Sequence, residues 1–493
     1  MSSPGGSSFE VSRKGGVSGC LDVDVEQGRC IWRPHGSEDE AFLGSSSTTS
    51  SARGCFGCFT WEGALSLPTS IDGADLVGAL ACSSEGTTKH PSFRILYTTE
   101  VLAGRGRTRR RLLRTEPFVC GSTGQLEECL RQVRRVAGHS EGRKRIMVLV
   151  NPVSGKGKGL KILRKTIVPM LEASGIPFDV KCTEKAGDGK ALGRGIDLEA
   201  YDTLVVSGGD GTLHEVMQGL FGREEASEKA GKVALAVLPT GSGNGFAASI
   251  DVVDAVTGLW FVLKNKRSPM DVVSVLQEAG TRGIHREFMC LSTTFGFIAN
   301  LDLDTEYLRC LGQARFTLGA MYEILRGKTT EAAVAYVPKG SEAPPCDEDS
   351  SRIACLFLDG IKGMFEPSFA LDDLPPPWKK MEREDFQFFV LANVPCLSMG
   401  DRVAPTVSAS SGSLALVSTH KSSRLENIDL FEAVDNGTTH ESPTASYKEV
   451  VAFAIDPKGG KLQFSLDGER IPVSRVYGEL HKGLGTFINN YNS

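Results

Sequence analysis

Three glycine-rich, polar segments contain the residues of this sequence that could do chemistry. They read Asn151-Pro-Val-Ser-Gly-Lys-Gly-Lys158, Ser207-Gly-Gly-Asp-Gly-Thr212 and Leu238-Pro-Thr-Gly-Ser-Gly-Asn-Gly245. Glycine lets the backbone approach a polyphosphate closely, and the N–H groups that open a following helix favour anions. The three segments therefore predict nucleotide binding.

These loops contain no complete standard phosphate-binding motif. Lys156 and Lys158 stand outside the frame of a GxxxxGK(S/T) phosphate loop. Gly243, Gly245 and Ala248 match half of a dinucleotide-binding fingerprint, but they follow the last strand of the unit instead of the first. One glycine-rich turn after a strand is often only a turn. Three of them in one domain form a more specific pattern, which favours a nucleotide site.

Short apolar segments that are typical of buried parallel strands precede these loops. The segments Ile146–Val150, Phe178–Cys182, Thr203–Val206 and Val233–Val237 alternate with helical stretches. Such alternation predicts a doubly wound α/β domain, which we place at residues 143–265. Ligands of these sheets bind outside the carboxyl ends of the strands, where the loops converge. The α/β domain is therefore expected to bind the nucleotide.

Residues 1–140 have the composition of a β-rich module. Short apolar segments such as Ser92–Tyr97 are separated by glycine, serine and threonine, and the low-complexity stretch 36–54 is expected to be an exposed loop. A helix is predicted over Gln125–Val136. Strands followed by one closing helix resemble a pleckstrin-homology domain. The module also contains an arginine cluster that would either bind anionic lipid or form a solvated hairpin loop: Arg105, Arg107, Arg109, Arg110, Arg111 and Arg114.

Beyond residue 265 the apolar residues alternate with a period of two, which is typical of antiparallel strands. Val451–Ile455, a DPKGG turn and Leu462–Leu466 predict a hairpin. Further strands are predicted at Ala333–Val337, Ile353–Leu358 and Phe386–Ala392. We therefore expect an antiparallel β-sandwich over residues 266–493. Three inserts rich in proline, serine or charge are expected to be surface loops: 339–351, 371–385 and 421–447.

The overall composition excludes several classes of protein. The 493 residues are 40% hydrophobic and 23% charged, the balance of a soluble globular protein. A formal net charge of −5 argues against a nucleic-acid partner. The polar start argues against a secretory signal, and no apolar run approaches the roughly 20 residues that span a bilayer. Cys55 and Cys58 form one CxxC without a second pair, so we expect reduced structural cysteines and a cytoplasmic protein that meets membranes peripherally.

Two of the loop sequences resemble a known superfamily. SGGDGTLHEVMQGL and LPTGSGNGFAASI are similar to the nucleotide-binding signatures of the diacylglycerol, sphingosine and ceramide kinases, with NAD kinases as distant relatives. Four further segments look like sphingosine kinases in particular: RSPMD at 267–271, FGFIANLD at 295–302, YLRCLGQARFTLG at 307–319 and LDGER at 466–470. The resemblance covers residue 143 to the C-terminus, apart from the inserts. It implies an ATP- and Mg²⁺-dependent kinase, with a β-sandwich that binds lipid, which phosphorylates the primary hydroxyl of a sphingoid base at a membrane surface.

The resemblance also implies roles for individual residues. Asp210 matches the acidic residue of the GDG signature and would be the catalytic base. The nucleotide would be surrounded by Asn151, Thr183, Gly209, Gly211, Glu215, Gly241 and Ser242. Arg309 and Arg315 match a triphosphate-binding pair, and planar guanidinium groups suit phosphate oxygens. The turn Asp467, Gly468 and Glu469 would return to the nucleotide. Asp302, with Ser292 nearby, would hold the amine and a hydroxyl of the sphingoid head group.

Three departures from the family pattern bear on substrate choice. Two glycines precede Asp210, Asn300 stands where the family often has an acid, and Gly245 follows Asn244 where alanine is more usual. Ceramide or diacylglycerol kinase activity is therefore an alternative, although neither lipid offers the cationic amine that Asp302 would bind. A catalytically inactive lipid-binding adaptor is disfavoured by the intact catalytic and arginine residues. A soluble-metabolite kinase such as NAD kinase is disfavoured by the long C-terminal part.

Overall fold

The computed structural model describes most of the chain. The described residues are 6–13, 18–34, 70–72, 74–82, 91–103, 108–139, 142–223, 226–241, 243–278, 284–296, 327–341, 371, 374, 376–458 and 463–489. The chain divides into two compact units. One contains residues 1–100, 111–142 and 169–175, and the other contains residues 101–110, 143–168 and 176–493.

The N-terminal unit contains most of a seven-stranded sheet. Its strands are β1 (Gly6–Arg13), β2 (Ser18–Asp24), β3 (Arg29–Pro34), β4 (Ser70–Asp72), β5 (Leu76–Ala81), β6 (Ser92–Ala103) and β7 (Thr108–Cys120). They follow one another in the order β4-β3-β2-β1-β7-β6-β5. The prediction of a β-rich N-terminal region is confirmed.

One helix, α1 (Thr123–Ala137), follows these strands and confirms the helix predicted over Gln125–Val136. The side chain of Ser122 accepts a hydrogen bond from the Gln125 amide, which satisfies one of the free N–H groups of the first turn. The helix ends at Gly138, which adopts the left-handed conformation with φ of 65°. Its buried face, with Cys129 and Val133, packs with side chains of the sheet in one hydrophobic core.

The α/β part of the second unit contains four parallel strands. They are β8 (Arg145–Val150), β9 (Phe178–Cys182), β10 (Tyr201–Gly208) and β11 (Ala234–Pro239), in the sheet order β11-β10-β8-β9. The helices of this region are α2 (Ser154–Gly157), α3 (Gly159–Ile162), α4 (Val168–Ser174), α5 (Asp188–Gly195), α6 (Asp210–Phe221), α7 (Ala226–Lys229), α8 (Gly245–Ser249) and α9 (Ala255–Lys264), with a π-helical turn at Leu163–Ile167 and a 3₁₀ turn at Ala230–Lys232. Of these, α4 apart from Val168 belongs to the first unit. All four predicted strands are present. The apolar central strands are buried on both faces, as in other parallel sheets.

The strand order places a topological switch point between β8 and β10. The chain moves from β8 outward to β9, and then returns to the other side of β8 to form β10 and β11. The loops that follow β8 and β10 therefore leave the sheet in a crevice at the carboxyl ends of neighbouring strands. Such a crevice is the usual ligand site of an open α/β sheet.

The C-terminal strands extend the same sheet. They are β12 (Arg267–Glu278), β13 (Ile284–Met289), β14 (Ser292–Phe295), β15 (Thr330–Pro338), β16 (Lys379–Lys380), β17 (Asp385–Phe386), β18 (Phe388–Ala392), β19 (Leu414–Thr419), β20 (Ser446–Pro457), β21 (Phe464–Leu466), β22 (Glu469–Ile471) and β23 (Val476–Ile488). The order β22-β21-β14-β18-β19-β20-β23 continues into β11, and β12 and β15 add branches. The strand β23 is parallel to β11 but antiparallel to β12 and β20. It therefore joins the parallel part of the sheet to the antiparallel part.

The predicted hairpin between Val451–Ile455 and Leu462–Leu466 is wrong. The first segment lies in β20, which pairs with β15, β19 and β23. The second contains β21, which pairs with β14 and β22. Local alternation identified both strands, but each finds its partners in distant parts of the chain. The predicted strand Ile353–Leu358 lies outside the described residues.

The insert 421–447 is not a loop throughout, as the sequence analysis expected, because it contains helix α10 (Arg424–Asn436). Ser423 and Glu426 form a capping box, in which each side chain accepts a hydrogen bond from the backbone of the other residue. Leu430 and Val434 pack with side chains of β18 and β19. Insert 371–385 similarly contains the short strand β16 and the first residue of β17. In the part of the chain that the structure describes, no helix is long and apolar enough to cross a membrane.

Candidate active site

Hydrogen bonds join the three glycine-rich loops at the crevice. The Asn151 amide N–H donates to the Ser207 carbonyl at 2.9 Å, and the Asn151 side chain donates to Thr212 Oγ1 at 3.2 Å. The Thr240 amide donates to the Gly208 carbonyl at 3.1 Å, and its hydroxyl donates to Ser154 Oγ at 3.2 Å. The structure therefore brings together the loops that the sequence separates by about 90 residues, as expected for a doubly wound sheet.

Asp210 is the first residue of α6 and follows the carboxyl end of β10. Its Oδ2 atom accepts a hydrogen bond from the Gly245 amide at 2.7 Å, and its Oδ1 atom accepts one from the Phe246 amide at 3.2 Å. Its own amide donates to the Gly243 carbonyl at 3.3 Å. These bonds hold the half-buried carboxylate in one orientation at the start of α8. A carboxylate held in this way is preorganised to orient a substrate hydroxyl group.

Glycines are required in these loops because their backbones touch. A Cβ atom added to Gly241 would lie 3.0 Å from Gly209 Cα, and one added to Gly209 would lie 3.0 Å from the Gly243 carbonyl oxygen. Gly155 is more tightly enclosed, since an added Cβ would lie 1.8 Å from the Thr240 carbonyl oxygen. The predicted residues Gly209 and Gly241 therefore face one another across the crevice.

We expect Gly155→Ala to damage the crevice more than Gly157→Ala. Both glycines have positive φ, 61° and 78°, so each alanine should be destabilising by about 1–2 kcal/mol from backbone strain alone. An added Cβ on Gly157 meets nothing within 4 Å, whereas that on Gly155 would push the β8 and β11 loops apart. Urea denaturation should show a larger loss of the free energy of unfolding for Gly155→Ala, and its KM for ATP should rise. Equal effects of the two variants would contradict the close approach.

Glu215 and Thr183 lie beside the same crevice. The two carboxylate oxygens of Glu215 accept hydrogen bonds from the Gly187 amide at 2.9 Å and the Gly189 amide at 3.0 Å. Glu215 thus joins α6 to the start of α5. The Thr183 amide donates to the Val150 carbonyl at 2.9 Å, which keeps the loop after β9 next to the end of β8. The role that the structure shows for Glu215 is to hold this loop, and its contact with a nucleotide stays a prediction.

The turn at Asp467 and Gly468 is a two-residue hairpin loop between β21 and β22. Both residues have positive φ, 52° and 85°, as a type I′ hairpin turn requires. The Asp467 carboxylate is buried and accepts backbone N–H bonds from Leu291 at 2.8 Å, Ser292 at 3.0 Å and Cys290 at 3.1 Å. The Asp467 carboxylate therefore holds the turn against β14. The buried Ser292 opens that strand.

The same turn brings Glu469 to the nucleotide loops. A Cβ atom added to Gly211 would lie 2.6 Å from Glu469 Oε1, so this carboxylate lies against the backbone next to Asp210. Glu469 is exposed, in contrast to Asp467. The structure thus brings together two residues that the sequence analysis assigned to the nucleotide, Gly211 and Glu469. Whether Gly468 and Glu469 touch the nucleotide stays a prediction.

The sequence analysis missed His214, one turn after Asp210 in α6. It is buried, and its Nδ1 atom lies 3.1 Å from Asp467 Oδ2. Burial opposes protonation, but the hydrogen bond and negative charge of Asp467, together with Glu287 and Glu469, raise the pKa of His214 above its usual value. The histidine stands in the motif DGTLHE, and its spacing from Asp210 was the available signal, because residues four apart share a helix face.

Four predicted site residues lie outside the described residues: Ser242, Asp302, Arg309 and Arg315. Their roles stay predictions. Among the residues that the structure does describe, no three His, Cys, Asp or Glu side chains form a group that could hold a metal ion.

Comparisons with known proteins decide the family. The family model of the diacylglycerol kinase catalytic domain matches residues 145–275, which include the three glycine-rich loops. Human sphingosine kinase 1 is 32% identical over 351 residues, which cover 68% of this chain and 88% of that protein. The chain belongs to the sphingosine kinase family. The resemblance drawn from the loop motifs is therefore confirmed.

Two further matches are a yeast kinase and a solved bacterial structure. Sphingoid long chain base kinase 5 of Saccharomyces cerevisiae is 25% identical over 409 residues, which cover 71% of this chain and 59% of that protein. The crystal structure of a diacylglycerol kinase from Bacillus anthracis matches with a TM-score of 0.51 at 18% identity, covering 71% of this chain and 99% of that one. This structural likeness shows that the α/β part has the diacylglycerol kinase fold. Membership of a kinase family implies the use of ATP.

Proposed function

We propose that this enzyme transfers the γ-phosphate of ATP to the primary hydroxyl group of sphingosine or a related sphingoid base. The observation that carries the proposal is the carboxylate of Asp210, which two backbone N–H groups hold at the switch-point crevice of a sphingosine kinase family member. Asp210 would orient the substrate hydroxyl and accept its proton as the oxygen attacks phosphorus. The glycine-rich backbones around it would let the triphosphate approach closely.

Transfer of the phosphoryl group also requires that its negative charge be stabilised. Arg309 and Arg315 would supply this on the triphosphate, since guanidinium groups bind phosphate oxygens in a bidentate way. Loss of either arginine should therefore impair both ATP binding and turnover. Asn151, Thr183, Gly209, Gly211, Gly241 and Ser242 would complete the nucleotide site.

Mg²⁺ is the expected metal, and it would neutralise charge on the phosphates. Asp467 does not suit it, because three backbone N–H groups and His214 already occupy its carboxylate oxygens. Mg²⁺ often keeps several waters and relies on substrate phosphates, so a cage of protein carboxylates is not needed. We therefore infer that the ion is held mainly by the nucleotide and by water.

The lipid would bind to residues 266–493, as an antiparallel β-sandwich with an apolar slot. The strands from β12 to β22 pair with their neighbours in an antiparallel way, which supports this arrangement. Asp302 and Ser292 would hold the amino alcohol of the head group, which selects a sphingoid base over ceramide or diacylglycerol. A carboxylate beside a cationic amine forms a charge-assisted hydrogen bond, and neither competing lipid carries that cation.

Residues 1–140 would act as a pleckstrin-homology-like module in a cytoplasmic enzyme that associates peripherally with membranes. The arginine cluster supports membrane binding only in part. Arg110 pairs with Asp254, and Arg111 pairs with Asp75 and with Glu100 at 3.3 Å. These pairs use some of the positive charge within the protein and leave less of it for anionic lipid.

A parallel assay with radiolabelled ATP tests the proposed reaction. Sphingosine, ceramide, diacylglycerol and NAD are offered separately in detergent micelles or buffer, and the labelled products are separated. We expect sphingosine to be labelled with the highest kcat/KM. Preferential labelling of ceramide or diacylglycerol would support those alternatives. If no acceptor is labelled while the protein still binds lipid vesicles, it is a catalytically inactive adaptor.

A further inference from the structure

One face of helix α6 contacts the C-terminal part of the chain at three successive turns. Gly211, His214 and Gln218 lie at spacings of three and four residues, so they share this face. Glu469 lies against the backbone at Gly211, and His214 contacts Asp467. At the third turn, the side chain of Gln218 donates to the Phe288 carbonyl at 2.6 Å and accepts from the Phe288 amide at 3.0 Å.

The contact between His214 and Asp467 joins two residues that lie 253 positions apart in the sequence. Only 7% of His214 and 2% of Asp467 is exposed, so water screens this pair little. Among the described residues, the charged groups that act on the imidazole are acidic: Asp467 and Glu469 from the hairpin turn and Glu287 from β13. The buried thiol of Cys290 lies 3.7 Å from the same Asp467 oxygen. On its other side, His214 Nε2 lies 3.3 Å from the side-chain nitrogen of Gln218, so the imidazole is placed to donate its Nδ1–H to Asp467.

We propose that His214 is a positioning residue that holds the turn 467–469 against α6 and so places Glu469 beside the nucleotide loop at Gly211. The inference rests on the proposed function, because its effect is expected on the binding of ATP. The three backbone N–H bonds to Asp467 attach the turn to β14. The imidazole adds the bond to the helix that begins with Asp210, so it couples the turn directly to the catalytic residue's own element.

The test compares His214→Leu with His214→Asn. Leucine fills similar space but has no donor, whereas the asparagine amide can place an N–H close to the position of Nδ1. We expect His214→Leu to raise the KM for ATP by about tenfold, with a much smaller change in the KM for sphingosine. His214→Asn should restore most of the ATP affinity. Leucine and asparagine variants that both keep the parent's KM for ATP would overturn the proposal.

Gln218→Leu is the matched control on the same helix face. It breaks the bonds to Phe288 and the contact of Gln218 Nε2 with His214 Nε2 at 3.3 Å, but leaves the bond between His214 and Asp467 in place. It should therefore lower the melting temperature and raise the KM for ATP much less than His214→Leu does. A double variant tests whether His214 affects ATP binding by positioning Glu469. If His214 acts by placing that carboxylate, the effects of His214→Leu and Glu469→Gln on the KM for ATP should be less than additive. Full additivity would contradict this route.

The pH dependence of the KM for ATP in the parent enzyme is a second test, which does not require the His214→Leu variant. The protonated imidazole pairs with Asp467 at low pH, and this attraction is lost as the pH rises through the raised pKa of His214. The KM for ATP should therefore rise on the alkaline side in the parent and stay flatter in His214→Asn. Identical profiles would overturn the proposal. A parent without kinase activity on any acceptor would instead refute the proposed function.

Discussion

Replacement of Asp210 by asparagine is expected to lower kcat by roughly 10²–10⁴-fold, the range that is typical of a lost general base. The asparagine keeps the shape of the side chain but cannot accept the proton of the substrate hydroxyl. Its NH₂ group would also face one of the two backbone N–H donors, Gly245 or Phe246, that the carboxylate satisfies. We therefore expect a loss of stability of about 1–3 kcal/mol, with the protein still folded.

Steady-state kinetics with sphingosine, together with thermal melting, test this expectation. Asp197→Asn is a suitable control, because the Asp197 carboxylate also accepts two backbone N–H bonds, from Glu199 at 2.8 Å and Ala200 at 3.2 Å. Asp197 precedes β10 and so lies at the amino end of the parallel strands, whereas the crevice lies at their carboxyl ends. Its replacement should therefore leave kcat nearly unchanged. Turnover near that of the parent in Asp210→Asn would remove Asp210 from the catalytic role.

The second large effect is expected for Asp302→Asn, with a decrease of roughly 10–150-fold in kcat/KM for sphingosine. A charge-assisted hydrogen bond between a carboxylate and a cationic amine contributes about 1.5–3 kcal/mol. Asparagine preserves the shape and one acceptor but removes the charge, so the variant isolates the electrostatic contribution. The KM for ATP should hardly change, because the residue is assigned to the lipid.

Asp304→Asn provides the matched control for this variant. It makes the same chemical change two residues later in the segment FGFIANLDLD and should retain activity close to that of the parent. Lipid acceptors without an amine should show no difference between the parent and Asp302→Asn. A loss of ATP affinity in Asp302→Asn, or a preference of the parent for ceramide or diacylglycerol, would show that Asp302 is not the amine partner.

Features that depend on neighbours in the sequence were predictable. The strands β8, β10 and β11 read as continuous apolar segments because helices and loops cover both of their faces. The end of helix α1 at Gly138 follows from the glycine that adopts the left-handed conformation there. The glycine-rich loops, with Asp210 among them, were recognisable for the same reason, since close approach of a backbone demands particular residues at particular positions.

The sequence of the insert 421–447 contains a signal for helix α10, although the insert as a whole was predicted to be a loop. Ser423 and Glu426 stand at the spacing of a capping box, which marks the start of a helix. Six of its 13 residues are apolar, but Leu425 and Ile428 are exposed, and only Asn427, Leu430 and Val434 are buried. The apolar side chains therefore do not form one buried stripe, and the periodicity that identifies a helix is weak.

The sequence by itself determined the reaction class, the parallel strands and the loops at which the nucleotide is expected. It did not determine which antiparallel strands pair, because any strand edge offers the same N–H and C=O groups and the choice is made by burial against distant partners. The bond between His214 and Asp467 is of the same kind. Its two residues are 253 positions apart and meet only when the hairpin turn packs on α6. Contacts of this sort form only in the folded tertiary structure, so no local sequence pattern predicts them.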